Sequence, residues 1–396
     1  MMKRILATLS VLLLFISHIN AQDETTGSAG VVQSAVPFLN ITTDSRSGAM
    51  GETGAATAPD IASQAKNPAK YAFTESTSGI ALSYTPWLKN LGINDMSIVH
   101  LFGYHKLDDL QTLSASLRYF NLGEFDFFDR SGDPAGGSNP NEFAFDMGYA
   151  LKLTDNWSGS VVLRYIMSDI YQNVGSTIEA ANSDLDAGHA FASDVSFYYN
   201  KDYFINRKNS NIAFGLNISN IGSKITYDGG IRKDFIPTNL KIGGAYTTEI
   251  DQYNKVSFAL DLNKLLVPSL LEEGMPKYDE TDPYLQKVGP IEGIFRSFGD
   301  APLGFKEEIQ EIHICLGVEY WYNEQFALRA GYAHEAKDKG DRKYLTLGAG
   351  LRMNVFVFDF SYIIPSLGNT NNALGNTLRF TLGYDIDNFR RQGRRR

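Results

Sequence analysis

Residues 142–153 read E-F-A-F-D-M-G-Y-A-L-K-L, a stretch in which apolar residues alternate with small or charged ones. Successive side chains of a β-strand point to opposite faces, so every second residue from Phe143 to Leu153 would share one apolar face. The alternation recurs at 212–218, 240–246, 256–262, 312–320, 326–332, 345–353, 356–362 and 378–384. Runs of about ten residues with apolar side chains outward and polar side chains inward are typical of a transmembrane β-barrel.

The alternation therefore predicts an all-β fold, a transmembrane antiparallel β-barrel of about fourteen strands. The expected strands are 79–84, 97–104, 111–120, 142–153, 156–169, 189–200, 208–221, 237–249, 253–265, 310–322, 325–334, 342–353, 354–363 and 376–385, so the barrel domain spans 79–385. The connections after the odd-numbered strands are longer than those after the even-numbered ones. Because such barrels combine short periplasmic turns with long extracellular loops, the pattern predicts extracellular long loops and two periplasmic termini.

The N-terminus carries the features of an export signal. Lys3 and Arg4 precede an apolar run at 5–16, and Ala21 offers a cleavage site, which predicts a secretory signal peptide at 1–21. No other stretch approaches the roughly eighteen consecutive apolar residues of a transmembrane helix. An exported chain that contains many amphipathic strands indicates a multi-pass protein of the bacterial outer membrane, surrounded by outer-membrane lipid.

The charge of the chain limits its partners. The formal net charge is -9 at pH 7, whereas nucleic-acid binding favours a clustered basic surface. No nucleic-acid partner is therefore expected. The basic run R-R-Q-G-R-R-R at 390–396 predicts a solvated periplasmic tail at 386–396, and contact with anionic lipid or a periplasmic partner is the alternative.

The inward face of the predicted barrel combines charged residues with small ones that leave space in the lumen. The charged inward positions are Asp146, Lys152, Arg164, Asp194, Lys241, Asp261, Glu319, Arg329, Arg352, Asp359 and Arg379. The segment 22–78 lacks strong strand alternation and is rich in Gly, Ala, Ser and Thr. It is predicted to fold back as an N-terminal plug, with Asp44 or Arg46 paired to inward charges. The other candidate plug residues are Phe38, Leu39, Asn67 and Pro68.

The run D-S-R-S-G-A-M-G-E-T-G-A-A-T-A-P-D-I-A-S-Q-A-K-N-P-A at 44–69 resembles the start of the FadL-like barrels. It is more similar to the PorV (LptO) and PorQ family of type IX secretion in Bacteroidetes, and the strand plan extends this resemblance over the mature chain. The resemblance implies a FadL-like barrel that acts in protein transport. It further implies three partners: the SprA/Sov translocon, secreted cargo with C-terminal signal domains, and the surface attachment complex.

The sequence contains no recognisable catalytic or metal-binding motif. The histidines lack HExxH or other metal-ligand spacing, and no GxSxG motif is present. Gly48, Gly51 and Gly54 form GxxGxxG without the strand and helix of a nucleotide-binding unit, so close packing is the preferred interpretation. The sequence therefore predicts a protein that is not an enzyme and has no catalytic residue, metal site or cofactor.

Partner binding is instead predicted on the long loops, because exposed aromatic side chains supply much of the binding energy of interfaces. The candidates are Phe191, Tyr278, Tyr284, Phe295, Phe298 and Phe305. The alternative for these residues is a loop folded over its own barrel mouth.

Two other functions remain open at this stage. A FadL-type outer-membrane channel for hydrophobic small molecules would need an apolar conduit, whereas the inward positions are polar or small. A lipid A deacylase would need a Ser/His pair on a lipid-facing surface, and the sequence pattern reveals none.

Overall fold

The computed structural model describes residues 31–93, 95–128, 134–172, 185–269, 288–365 and 374–386. Within them, antiparallel strands form a closed barrel in which the first strand pairs with the last. Its fourteen strands are β1 (Ser78–Pro86), β2 (Ser97–Lys106), β3 (Gln111–Asn121), β6 (Asn141–Lys152), β7 (Trp157–Asp169), β8 (Gly188–Ile205), β9 (Lys208–Gly222), β10 (Asn239–Glu249), β11 (Asn254–Leu265), β12 (His313–Tyr322), β13 (Phe326–His334), β14 (Lys343–Met353), β15 (Phe356–Pro365) and β16 (Leu378–Asp385). The predicted fold class and the predicted strand number are confirmed.

A short hairpin between β3 and β6 was not predicted. Its strands, β4 (Phe125–Phe128) and β5 (Pro134–Ser138), pair with each other in a separate two-stranded sheet. The β5 sequence P-A-G-G-S has no apolar alternation, and glycine is unfavourable inside a strand. The hairpin therefore has no local sequence pattern from which it could be predicted.

Exposure alternates along the barrel strands with a period of two. Met147 and Leu163 are 61% and 66% exposed, whereas their neighbours Asp146 and Arg164 are buried. The apolar side chains therefore point away from the barrel and the charged ones point into it. This alternation is the arrangement of a barrel whose outer surface contacts lipid.

The two ends of the barrel differ in the length of their connections. At one end the strands are joined by the connections 107–110, 153–156, 206–207, 250–253, 323–325 and 354–355, and we call this the short-turn end. At the other end they are joined by the connections 87–96, 122–140, 170–187, 223–238, 266–312, 335–342 and 366–377, and we call this the long-loop end. The turn between β8 and β9 illustrates the short type, because Asn206 and Arg207 have φ of 51° and 64°. Positive φ at both central residues is the geometry of a two-residue type I′ hairpin.

The N-terminal segment, residues 31–77, contains short helices instead of strands. They are a 3₁₀ helix at Pro37–Asn40, α1 (Ser45–Ala49), and 3₁₀ helices at Ser63–Ala65 and Pro68–Phe73. Asp44 caps α1 by accepting a hydrogen bond from the Ser47 backbone N–H at 2.8 Å, and Asn67 caps the last helix through Ala69. Pro68 occupies the first turn of that helix, where a missing N–H costs nothing.

The N-terminal segment lies against the inward-facing residues of the barrel. Most of its residues between 42 and 74 are buried, and the side chains that cover them come from strands around the whole circumference, including β2, β7, β9, β11, β12, β14 and β16. The lumen of the described barrel is therefore occupied by the chain itself.

Candidate functional site in the lumen and at the long-loop end

A chain of alternating charges ties α1 to the barrel wall. Arg46 donates two hydrogen bonds to the Glu319 carboxylate, at 2.9 Å from Nε and 2.8 Å from Nη2, and a third at 2.9 Å to Asp60. Glu319 also accepts from Arg329 at 2.7 Å, and Arg329 donates to Asp359 at 2.6 Å. All of these side chains are buried or nearly so. The expected pairing of Arg46 with an inward charge is what the structure contains.

A second buried charge network lies on the opposite wall. Arg164 binds Asp146 at 2.6 Å and Asp194 at 2.9 Å, and it also contacts the Asn220 side chain. Nearby, Arg118 donates to the carbonyl oxygens of the 3₁₀ helix at Pro37–Asn40. The alternation in the sequence predicted that most of these charged residues point inward, because they lie on the same face of their strands as the small residues.

Backbone groups of the N-terminal segment also bind the wall directly. The N–H groups of Gly54 and Ala55 donate to Asp261 at 2.7 and 2.9 Å, and Asn67 donates to the Phe197 carbonyl at 3.0 Å. Gly331 on β13 lies so close to this segment that a Cβ there would collide with the backbone of residues 50–51. The small inward residues thus serve close packing of backbone against backbone.

Above the N-terminal segment, at the long-loop end, lies a cavity of about 730 Å³. On the side of β1–β3 and the segment itself, its wall is apolar and is formed by Phe38, Leu39, Ile41, Trp87, Met96, Phe120 and Leu122. On the side of β9–β12, its wall is polar and is formed by Asn217, Ser219, Asn239, Lys241, Asn263 and His313, with Thr42 and Lys66 at the floor. The predicted plug residues Phe38 and Leu39 therefore form part of the apolar wall of this cavity.

Two lysines of this cavity have unusual surroundings. Lys66 donates to the Thr42 hydroxyl at 2.6 Å, and Lys241 is 8% exposed. Burial, together with the nearby charge of Lys241, lowers the pKa of Lys66 to about 8. The sequence predicted that Lys241 points into the barrel but gave no such prediction for Lys66. Alternation indicates the direction of a side chain only within a strand, and Lys66 lies in an irregular segment.

Two short helices lie in the connection between β11 and β12, at the long-loop end. They are α2 (Pro290–Arg296) and α3 (Phe305–Gln310). Ion pairs fasten α3 and the residue after it to β11 and to the connection between β13 and β14: Lys264 binds Glu308 at 2.9 Å and Glu311 at 2.5 Å, and Lys339 binds Glu307 at 2.6 Å. Gly293 of α2 packs against the rings of Phe235 and Pro268. Both helices are thus fixed in position.

The anchored helices expose apolar side chains. Phe295, Phe298 and Phe305 are 75%, 52% and 80% exposed, and Ile291 and Ile309 are also exposed. The structure therefore brings three of the six predicted partner-binding aromatics together on one connection. Tyr278 and Tyr284 lie outside the described residues.

Phe191, although grouped with the loop aromatics, lies not on a long loop but within the predicted strand 189–200. It lies in β8, on the outward face of the barrel, where its ring packs at 5.3 Å from that of Tyr165. The alternation of β8 continues through this position, with Ala190 and Ala192 buried on either side. Phe191 is therefore positioned to contact lipid near the long-loop end.

One Ser/His pair does occur on the outer surface. The Ser78 Oγ and His105 Nδ1 atoms lie 2.6 Å apart at the short-turn end. A nucleophilic serine needs a histidine that is itself oriented by a third group, usually a carboxylate. No carboxylate of the described residues pairs with His105. The pair therefore lacks the arrangement expected of a hydrolase.

Within the described ranges, no group of three or more His, Cys, Asp and Glu is placed to hold a metal ion. Of the helices in those same ranges, none has the length and apolar character needed to cross a membrane.

Comparison with known proteins gives one match to a family model and several solved barrels. The family model is that of PorV, described as type IX secretion system protein PorV, and it matches residues 24–272. A search of curated proteins finds no significant match.

The solved structures include the toluene transporter TodX of Pseudomonas putida, at 9% identity and a TM-score of 0.48, covering 86% of this chain and 97% of that one. They also include the toluene transporter TbuX of Ralstonia pickettii, at 12% identity and a TM-score of 0.45, covering 85% of this chain and 96% of that one. A FadL homologue of Pseudomonas aeruginosa matches at 12% identity and a TM-score of 0.42, covering 90% of this chain and 99% of that one. At these identities and scores the likeness does not bear on the function of this chain.

Proposed function

Since the chain belongs to the PorV family of the type IX secretion system, we propose that it docks on the SprA/Sov translocon and hands secreted cargo to the surface attachment complex. The cargo would be proteins that carry C-terminal signal domains. Membership of this family and the β-barrel fold point to the outer membrane and to a secretion component, and the family is not one of enzymes. Docking, cargo transfer and the choice of partners are the proposed part.

The first support is that the N-terminal segment occupies the lumen. In the proposal, residues 22–78 are a plug that stays in place during secretion. The buried pairs of Arg46 with Glu319 and of Asp261 with two backbone N–H groups favour this, since breaking a buried ion pair typically costs about 3–5 kcal/mol. A protein whose lumen is closed in this way would act through its surface, not as a conduit.

The observation that carries the proposal is the exposed aromatic surface of α2, α3 and the residues between them. Phe295 and Phe305 are exposed on helices that are fixed by packing and by ion pairs, and Phe298 is exposed between these helices. Exposed apolar clusters mark interaction sites, and a surface that is already ordered loses less conformational entropy on binding. We name this surface, residues 288–312, the aromatic loop surface.

In the proposal, the long-loop end faces the cell exterior and both termini face the periplasm, together with the arginine-rich tail at 386–396. This sidedness follows the usual division between long extracellular loops and short periplasmic turns. It would place the aromatic loop surface where a surface-bound partner or an emerging cargo protein can reach it.

The test is copurification from native membranes with a triple variant, Phe295→Ala, Phe298→Ala and Phe305→Ala. Interface aromatics are typically worth about 1–4 kcal/mol each. Recovery of the translocon or of cargo should therefore fall by more than about tenfold, because about 1.4 kcal/mol corresponds to a factor of ten.

The matched control is Phe204→Ala. Phe204 is 74% exposed, like the loop aromatics, but it lies at the short-turn end beside the turn at 206–207. This variant should retain its partners. A triple variant that is inserted in the membrane and keeps both translocon and cargo would refute the assignment of the aromatic loop surface.

A further inference from the structure

One hairpin at the short-turn end extends beyond its neighbours. β8 and β9 pair with each other as far as Ile205 and Lys208. In contrast, β7 pairs with β8 only to Tyr199, and β10 pairs with β9 only to Ser210. At about 3.3 Å per residue, the part of β8 after Tyr199 forms a two-stranded ribbon roughly 20 Å long. We name residues 200–209 the β8–β9 extension.

The β8–β9 extension is basic, whereas the other connections of the short-turn end are acidic or neutral. Three basic residues and one acidic residue give it a formal charge of +2; they are Lys201, Arg207, Lys208 and Asp202. The charged residues of the other connections at this end are all acidic, namely Asp108, Asp109, Asp155, Asp251 and Glu324. Among the connections of the short-turn end, the extension alone therefore carries a net positive charge.

The basic side chains of the extension are exposed and make no ion pair within the part of the chain that the structure describes. No described carboxylate oxygen lies within 4.0 Å of Lys201, Arg207 or Lys208. The charge of Lys208 acts on Asp251 of the neighbouring turn, but both oxygens of that carboxylate already accept hydrogen bonds from Asn254 at 2.7 Å. The three basic groups are therefore accessible to an external anion.

One face of the extension continues the lipid-facing surface of the barrel. Tyr199, Lys201 and Tyr203 occupy alternate positions of β8 and therefore share this face, whereas Asp202 lies on the opposite face. The Tyr199 and Tyr203 hydroxyls lie 3.2 Å apart, and the Lys201 ammonium is 5.3 Å from the centre of the Tyr203 ring. The Tyr199 ring also packs at 4.9 Å from that of Trp157, which is exposed on the outer surface. Because such aromatic rings favour the level of the lipid head groups, the extension begins at that level.

We propose that the β8–β9 extension binds anionic phospholipids of the adjacent leaflet, with Lys201 and Lys208 contacting their phosphate groups. Lys208 pairs with Ile205, which has the same alternation as Lys201, so both lysines lie on the face that continues the lipid-facing surface. This continuity favours a lipid over a protein as the bound partner. A basic residue close to an anionic lipid surface strengthens binding by about fivefold, so the two lysines together contribute more than about tenfold.

Lipid titration of the full chain in a neutral detergent, followed by native mass spectrometry, tests this proposal. Anionic phosphatidylglycerol should bind about ten times more tightly than zwitterionic phosphatidylcholine, and the double variant Lys201→Gln with Lys208→Gln should lose this preference. The matched control, Lys89→Gln with Lys337→Gln, removes the same charge from exposed positions at the long-loop end and should keep the preference. Equal binding of the two lipids, a preference that survives in the first variant, or an equal loss in both variants would overturn the proposal.

A second measurement uses the unmodified protein, so it does not depend on variants that fold. In nanodiscs, acetylation of lysines by acetic anhydride is followed by mass spectrometry with and without phosphatidylglycerol in a phosphatidylcholine bilayer. Phosphatidylglycerol should slow acetylation of Lys201 and Lys208 several-fold more than that of Lys89 and Lys337, and inorganic phosphate should protect none of them. An equal effect at both ends of the barrel, or protection by inorganic phosphate alone, would refute binding of lipid at the extension. None of these outcomes depends on the docking proposed above.

Discussion

Replacing Arg46 by Met should loosen the N-terminal segment inside the barrel. The substitution removes two hydrogen bonds to Glu319 and one each to Asp60 and the Ala58 carbonyl, all from a guanidinium that is nearly buried. Breaking a buried ion pair typically costs about 3–5 kcal/mol. Because Glu319 keeps its bond to Arg329, the lower end of that range applies. About 3 kcal/mol corresponds to roughly a hundredfold increase in the open population of the segment.

Hydrogen exchange measured by mass spectrometry reports that population directly, because exchange of protected amides follows local opening. Peptides that cover residues 42–56 should exchange about a hundred times faster in the variant, whereas peptides from the barrel strands should not change. Arg232→Met is the control, since Arg232 pairs with Asp228 at 3.4 Å on an exposed connection, where ion pairs contribute about 0–1 kcal/mol. Equal protection of 42–56 in both variants would show that the charge network does not hold the segment.

Three further predictions concern the loop anchors, the sidedness and the packing. Lys339→Met should reduce partner recovery without altering any exposed aromatic side chain, because it breaks the ion pair that anchors Glu307, while Glu308 and Glu311 keep their pairs with Lys264; normal recovery in pull-down experiments would contradict the role of this anchor. A cysteine introduced at Phe295 should react with a membrane-impermeant maleimide on intact cells, and a cysteine introduced at Asn156 should not. The reverse result would show that the short-turn end, not the long-loop end, faces the cell exterior. Gly331→Ala should impair assembly, seen as lost heat-modifiable migration, because its Cβ meets the backbone of residues 50–51, whereas Gly159→Ala should assemble normally.

The barrel could be predicted because its signal is local and repeated. Contact with lipid favours apolar side chains at every second position of a strand. The sequence of a stretch such as 142–153 therefore indicates which side chains point outward, even when the neighbouring strands are unknown. The same alternation predicted that Asp261, Glu319 and Arg329 point into the barrel, although it could not identify the residues that they bind. Within a strand, each side chain has a direction that its position alone determines.

The contacts of the N-terminal segment could not be predicted in the same way. Its helices are too short for a helical period, and their directions are set by residues hundreds of positions away, as in the pair of Arg46 with Glu319. Lys66 was missed for this reason. Phe191 was grouped with the loop aromatics although the predicted strand 189–200 contains it, and the alternation along β8 gives it an outward-facing position.

The central claim is that this chain works as a partner in protein secretion and not as a channel. The most direct measurement is purification of the tagged, unmodified protein from native membranes, followed by mass spectrometry of the proteins and small molecules that accompany it. We expect a very large outer-membrane barrel of the translocon type, together with secreted proteins that carry C-terminal signal domains. A lone barrel that carries a neutral hydrophobic molecule, without translocon or cargo, would contradict the account and favour a channel for hydrophobic compounds.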